Sequence, residues 1–70
     1  MAKSQFPLRL INGYWIAVRK ILRFEHGYKL HEAVKSTKAY QTAIKRIKIG
    51  DMVYHSSVED TAQGIVNGEY

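Results

Sequence analysis

The chain has 70 residues, 46% of them hydrophobic, and no cysteine. This length suffices for one small domain over residues 1–70, and the lack of cysteine excludes a disulfide framework, a thiolate zinc site and a cysteine nucleophile. Residues 1–48 carry all 11 Lys and Arg against two acids, a net charge of +9, whereas residues 49–70 carry four acids and no base. A basic body with an acidic tail indicates a polyanionic partner.

The first predicted element is a β-hairpin in "LRLINGYWIAV", residues 8–18, preceded by a flexible N-terminus over residues 1–4. Asn12-Gly13 is the preferred pair for a two-residue type I′ turn, and apolar runs flank it on both sides. The predicted strands run from residue 5 to 11 and from 14 to 24. Pro7 suits the outer strand because proline has no amide donor.

A second predicted hairpin turns at Glu25-His26-Gly27 and adds a third strand that ends at residue 35. Cross-strand pairing places Phe24 opposite Tyr28 and Leu22 opposite Leu30, which gives one face of apolar pairs. Side chains alternate between the faces of a strand, so the other face is basic. The prediction for residues 5–35 is therefore a three-stranded antiparallel sheet with one apolar and one basic face.

The next predicted element is an amphipathic helix over residues 36–49, because apolar residues from Ala39 to Ile47 recur at helical spacing. Its apolar stripe is expected to pack on the apolar face of the sheet. The acidic residues 51–70 are read as a C-terminal strand or hairpin built from "GDMVYH" and "QGIVNGEY". The predicted fold class is α+β: a small antiparallel β-sheet carrying one amphipathic α-helix.

Catalysis has little support in this sequence. We find no nucleophile–base pairing, no glycine-rich phosphate loop and no metal-ligand spacing among the three histidines. The prediction is a protein that is not an enzyme and that uses no metal or cofactor.

Binding of nucleic acid is the favoured function, because phosphates attract spread cations and an aromatic ring can stack on a base. The order of hairpin, third strand and helix over residues 8–48, with "NGYW" at its turn, resembles the three-stranded DNA-reading domains of phage integrase arms and AP2-type factors. The resemblance implies that the sheet enters a DNA groove, although RNA stays open as the ligand. The predicted contacts are Trp15, Arg19, Arg23, Lys29 and Lys35 on the sheet, and Lys45, Arg46 and Lys48 on the helix, where Lys38 is also basic.

A protein-interaction or inhibitor module is the first alternative. Phe6, Leu8, Leu10 and Trp15 form an apolar group on the basic face of the predicted sheet, which suits a protein partner or a homodimer better than DNA. Such a module would target a host nucleic-acid-processing complex, as many small phage-encoded proteins do.

A dimeric ribbon-helix-helix repressor is the second alternative. "SQFPLRL", followed by helices over residues 12–24 and 30–47, resembles that family, and the resemblance implies that Gln5, Pro7 and Arg9 face DNA.

The location is predicted from two absences in the sequence. There is no apolar run of the roughly 18 to 20 residues that span a bilayer, and no apolar segment of a secretion signal. We therefore expect a cytoplasmic protein with no membrane partner, in the host cytoplasm if the chain is phage-encoded.

Overall fold

The computed structural model describes residues 7–48 and 50–68. It contains three α-helices, α1 (Leu8–Glu25), α2 (Leu30–Arg46) and α3 (Val58–Asn67), with a 3-10 helix (Gly50–His55) before α3. No strand occurs in the described residues. The predicted α+β fold with an antiparallel sheet and β-hairpins is therefore wrong, and the described residues form an all-α fold. The predicted flexible residues 1–4 lie outside the described part of the chain.

The first predicted hairpin is replaced by the single helix α1. Trp15, Val18 and Leu22 recur at helical spacing and are 4%, 0% and 0% exposed. Asn12 and Gly13 lie on the exposed side of this helix. A glycine inside a helix costs about 1 kcal/mol, whereas burial of each large apolar side chain contributes about 1.5–3 kcal/mol. The buried face outweighs the local turn preference.

The predicted turn at Gly27 is present, but it joins two helices rather than two strands. Gly27 has a left-handed backbone with φ of 74°, which glycine adopts without a steric penalty. The Tyr28 amide donates to the Leu22 carbonyl at 2.9 Å and so satisfies an acceptor at the end of α1. Phe24 and Leu30, predicted to be buried on the sheet, are 77% and 58% exposed.

Helix α2 contains both the predicted third strand and most of the predicted helix. The helix predicted over residues 36–49 begins at Leu30 instead and ends at Arg46. Its buried residues are Ala33, Thr37 and Ile44, and the Thr37 hydroxyl is satisfied because it donates to the Ala33 carbonyl.

The C-terminal strands are likewise wrong, since "GDMVYH" forms the 3-10 helix and "QGIVNGEY" falls largely in α3. Ser57 caps α3 by accepting a hydrogen bond from the Asp60 amide at 3.1 Å, a typical N-cap interaction. Ala62 and Ile65 lie on the buried face of α3. Gly68 ends this helix in a left-handed conformation with φ of 70°.

Helix α1 lies at the centre of the molecule, with α2 and α3 both packed on it and in less contact with each other. An aromatic cluster joins the elements: the Trp15 ring lies 6.1 Å from Tyr40 of α2 and 6.0 Å from Tyr54 of the 3-10 helix. Trp15 Nε1 donates to the Tyr54 hydroxyl at 3.1 Å. Trp15 is therefore a residue of the core.

Two helices of the ribbon-helix-helix alternative, over residues 12–24 and 30–47, agree closely with α1 and α2. The ribbon of this alternative, expected in residues 4–10, does not agree with the structure, because Leu8–Leu10 belong to α1. Residues 4–6 lie outside the described part of the chain.

Candidate nucleic-acid interface

The predicted site residues are distributed over α1, α2 and the residues that flank α2, and they do not form one sheet face. Trp15 is 4% exposed and hydrogen-bonded, so its ring is not available for stacking on a base. Arg19 is half-buried, and its Nε is buried without a partner among the described residues. Arg23 is exposed on α1, where its guanidinium lies 5.4 Å from the centre of the Phe24 ring.

Helix α2 carries the densest group of exposed cations, which we call the basic stripe. Its side chains all point away from the buried face formed by Ala33, Thr37 and Ile44, and they lie within roughly 100° of one another around the helix at 3.6 residues per turn. Each is exposed. The basic stripe consists of Lys35, Lys38, Lys45 and Arg46.

The basic stripe carries an unneutralised positive charge. The sequence has no acid between residues 33 and 48, and none of the four cations forms an ion pair in the part of the chain that the structure describes. The nearest preceding acid, Glu32, accepts a hydrogen bond from the Lys29 amide at 2.8 Å. From Lys35 to Arg46 the stripe extends about 16 Å along the helix axis.

Both ends of α2 also carry a lysine in a position that favours another residue type. Lys29 is the N-cap and makes no side-chain cap hydrogen bond, although Ser, Asp or Asn is preferred there. Lys48 follows the C-cap with φ of 56°, a left-handed conformation usual for glycine. With these two residues, positive charge extends about 28 Å along α2.

An open groove of about 620 Å³ lies beside the first half of α2. Leu30 and Val34 supply its apolar part, one helical turn apart, and three basic or titratable side chains border them. The described lining residues are Leu30, His31, Val34, Lys35 and Lys38.

A second group of exposed cations lies on α1, at Arg9, Lys20 and Arg23. These positions lie roughly 120–180° around the helix from Tyr14, whose hydroxyl donates to the Val53 carbonyl at 3.0 Å. They therefore face away from the side of α1 that α3 covers. The acids of α3, in contrast, are Glu59 and Asp60 in its first turn.

The apolar group of the predicted protein interface is not assembled. Leu8 and Leu10 are 71% and 59% exposed at the start of α1, whereas Trp15 is in the core. Phe6 lies outside the described residues.

Residues 7–48 and 50–68 contain no group of three or more His, Cys, Asp or Glu arranged to hold a metal ion. No helix in the same residues has the length and apolar character needed to cross a membrane. No known protein family, curated protein or solved structure matches this chain.

Proposed function

We propose that the protein is a small regulatory nucleic-acid-binding protein, not an enzyme, and that the basic stripe of α2 contacts the phosphates. The observation that carries this proposal is the set of four exposed cations on one face of α2, which have no acid among them and form no ion pair with the described residues. Neutralising phosphates with such cations releases condensed counterions, which favours binding without any base contact. A cytoplasmic location belongs to the same proposal.

The lysines at the ends of α2 also support this function. A helix face rich in lysine is often only a solvated surface, and helix stability alone does not select lysine as N-cap or at a left-handed position. Lys29 and Lys48 occupy those positions in α2. Departures from local structural preference are expected at functional sites, and here both departures extend the positive surface.

The test compares two triple variants that remove the same charge from different faces. One is Lys35→Ala/Lys38→Ala/Lys45→Ala in the basic stripe, and the matched control is a triple alanine variant of the exposed cations of α1. Fluorescence anisotropy with labelled DNA and RNA, as duplexes and single strands, would give affinity over a series of salt concentrations. The control substitutions are Arg9→Ala, Lys20→Ala and Arg23→Ala.

The basic stripe variant is expected to bind weakly, with its salt slope reduced by about 3, because each lost phosphate contact removes about one unit of slope. The α1 variant should keep most of the wild-type slope. Equal losses in both variants would show that total charge, not the stripe, drives binding. If the wild type binds none of these nucleic acids at low salt, the proposed function is wrong.

A further inference from the structure

The groove beside α2 leaves two aliphatic side chains next to the basic stripe. Leu30 is 58% exposed and Val34 is half-buried, and both lie outside the buried residues of α2. Lys35 and Lys38 belong to both the groove and the stripe. Any ligand that follows the stripe along the first half of α2 therefore meets an apolar surface bordered by positive charge.

We propose that Leu30 and Val34 contact thymine methyl groups in the major groove of duplex DNA. This inference rests on the proposed function and identifies its ligand. The major groove of B-DNA is about 12 Å wide and admits an α-helix, and the thymine C5-methyl is the apolar group that base edges display there. The major groove of A-form RNA is too deep and narrow for side chains to read.

Charge complementarity favours DNA over an acidic peptide as the occupant of the groove. A peptide bound to Lys35 and Lys38 has no need of cations beyond the groove. The stripe continues to Lys45 and Arg46, about 12 Å farther along α2 from Lys38. A duplex carries phosphates along its whole length, so its backbone can also reach Lys45 and Arg46, while Lys35 and Lys38 hold it where the aliphatic pair faces the bases.

The two DNA probes of this experiment differ only in the thymine C5-methyl group. The probes are an alternating A·T duplex, the same duplex with deoxyuridine in place of thymidine, and the corresponding RNA duplex, each titrated with the full chain. The protein variants are Leu30→Ala, at an exposed position where folding should be unaffected, and Val34→Ser, which removes both methyl groups of Val34. Ile16→Ala is the matched control, because Ile16 is an aliphatic residue 49% exposed on α1.

The wild type is expected to bind the thymidine duplex about 4-fold more tightly than the deoxyuridine duplex for each methyl buried, which corresponds to ~0.8 kcal/mol. Leu30→Ala and Val34→Ser should reduce this ratio toward one, and Ile16→Ala should leave it unchanged. The RNA duplex should bind more weakly than either DNA duplex.

An equal affinity of the wild type for thymidine and deoxyuridine duplexes would overturn the inference, and leave a protein segment as the better occupant of the groove. The same holds if Leu30→Ala keeps the full wild-type ratio, or if the RNA duplex binds as tightly as DNA. In each case the proposed function is still tested separately by the difference in salt slope between the wild type and the basic stripe variant, because the three probes carry the same phosphate charge.

Discussion

The Tyr14 hydroxyl holds α1 to the segment that leads into α3. It lies 3.0 Å from the Val53 carbonyl, 3.1 Å from that of Ser56 and 3.4 Å from that of Ser57, and it shares a short hydrogen bond with the Thr61 hydroxyl. A tyrosine hydroxyl has one proton to donate, and carbonyls only accept. Thr61 is therefore the donor to Tyr14, and Tyr14 donates its one proton to a carbonyl, of which that of Val53 is the nearest.

Tyr14→Phe is expected to lower the free energy of unfolding by about 1–3 kcal/mol, because it leaves the Thr61 hydroxyl and a backbone carbonyl without their partner. Urea unfolding followed by circular dichroism would measure the loss. Tyr28→Phe is the matched control, since Tyr28 is half-buried and its hydroxyl makes no hydrogen bond to the described residues. A loss of equal size in both variants would contradict the role assigned to the Tyr14 hydroxyl.

Tyr14 is also expected to make the stability of the fold sensitive to alkaline pH. Burial raises the pKa of Tyr14 above its ordinary value of 10.0, and this outweighs the lowering by the Thr61 hydrogen bond. Folding therefore favours the neutral phenol. The contribution of this pKa shift to the free energy of unfolding is fully present below about pH 10 and is lost as the pH rises through the folded-state pKa. The urea midpoint should fall over this range in the wild type and fall less in Tyr14→Phe, and equal slopes would contradict the prediction.

At the scale of the elements, α2 is the helix whose ends are least optimal. We expect Lys29→Ser to stabilise the protein by about 0.5–1 kcal/mol by capping the first turn, and Lys48→Gly to stabilise it by a similar amount by removing left-handed strain. Thermal unfolding would measure both gains, and Lys20→Ser on the exposed face of α1 is a control that should not stabilise. If these lysines serve binding, both stabilised variants should bind nucleic acid more weakly.

The element types were hard to predict because local and periodic signals conflict in this chain. Asn12-Gly13 favours a hairpin over only two residues, whereas the helical spacing of Trp15, Val18 and Leu22 extends over the whole of α1. Ser57, followed by two acids in the first turn, is a typical signal for the N-terminus of a helix and marks the start of α3. The β-branched residues after Gly64 favour a strand instead. Periodicity over a long window was the more reliable signal, since the helix predicted over residues 36–49 falls largely within α2, but its predicted apolar stripe was wrong at Ala39 and Ile47, which are exposed.

At the scale of the whole molecule, the charge division visible in the sequence is kept in three dimensions. Cations dominate the exposed faces of α1 and α2, and the described acids of α3 lie in its first turn. The charge difference between the two halves could be predicted from the sequence, and six of the seven predicted cation contacts are exposed, whereas Arg19 is half-buried. Only the fold shows which cations lie on the same face. The predicted sheet grouped Lys35 with Arg19 and Arg23, whereas the structure groups it with Lys38, Lys45 and Arg46.

This charge division predicts that salt acts in opposite directions on folding and on binding. Like charges on α1 and α2 repel one another in the folded state, and raising the ionic strength from about 0.01 M to 0.15 M shortens the screening length from about 30 Å to about 8 Å. The melting temperature of the free protein should rise over this range, while its affinity for DNA falls. The Lys35→Ala/Lys38→Ala/Lys45→Ala variant should show both responses weakened. A melting temperature that falls with salt would mean that attraction between the basic helices and the acids of α3 outweighs repulsion among the cations.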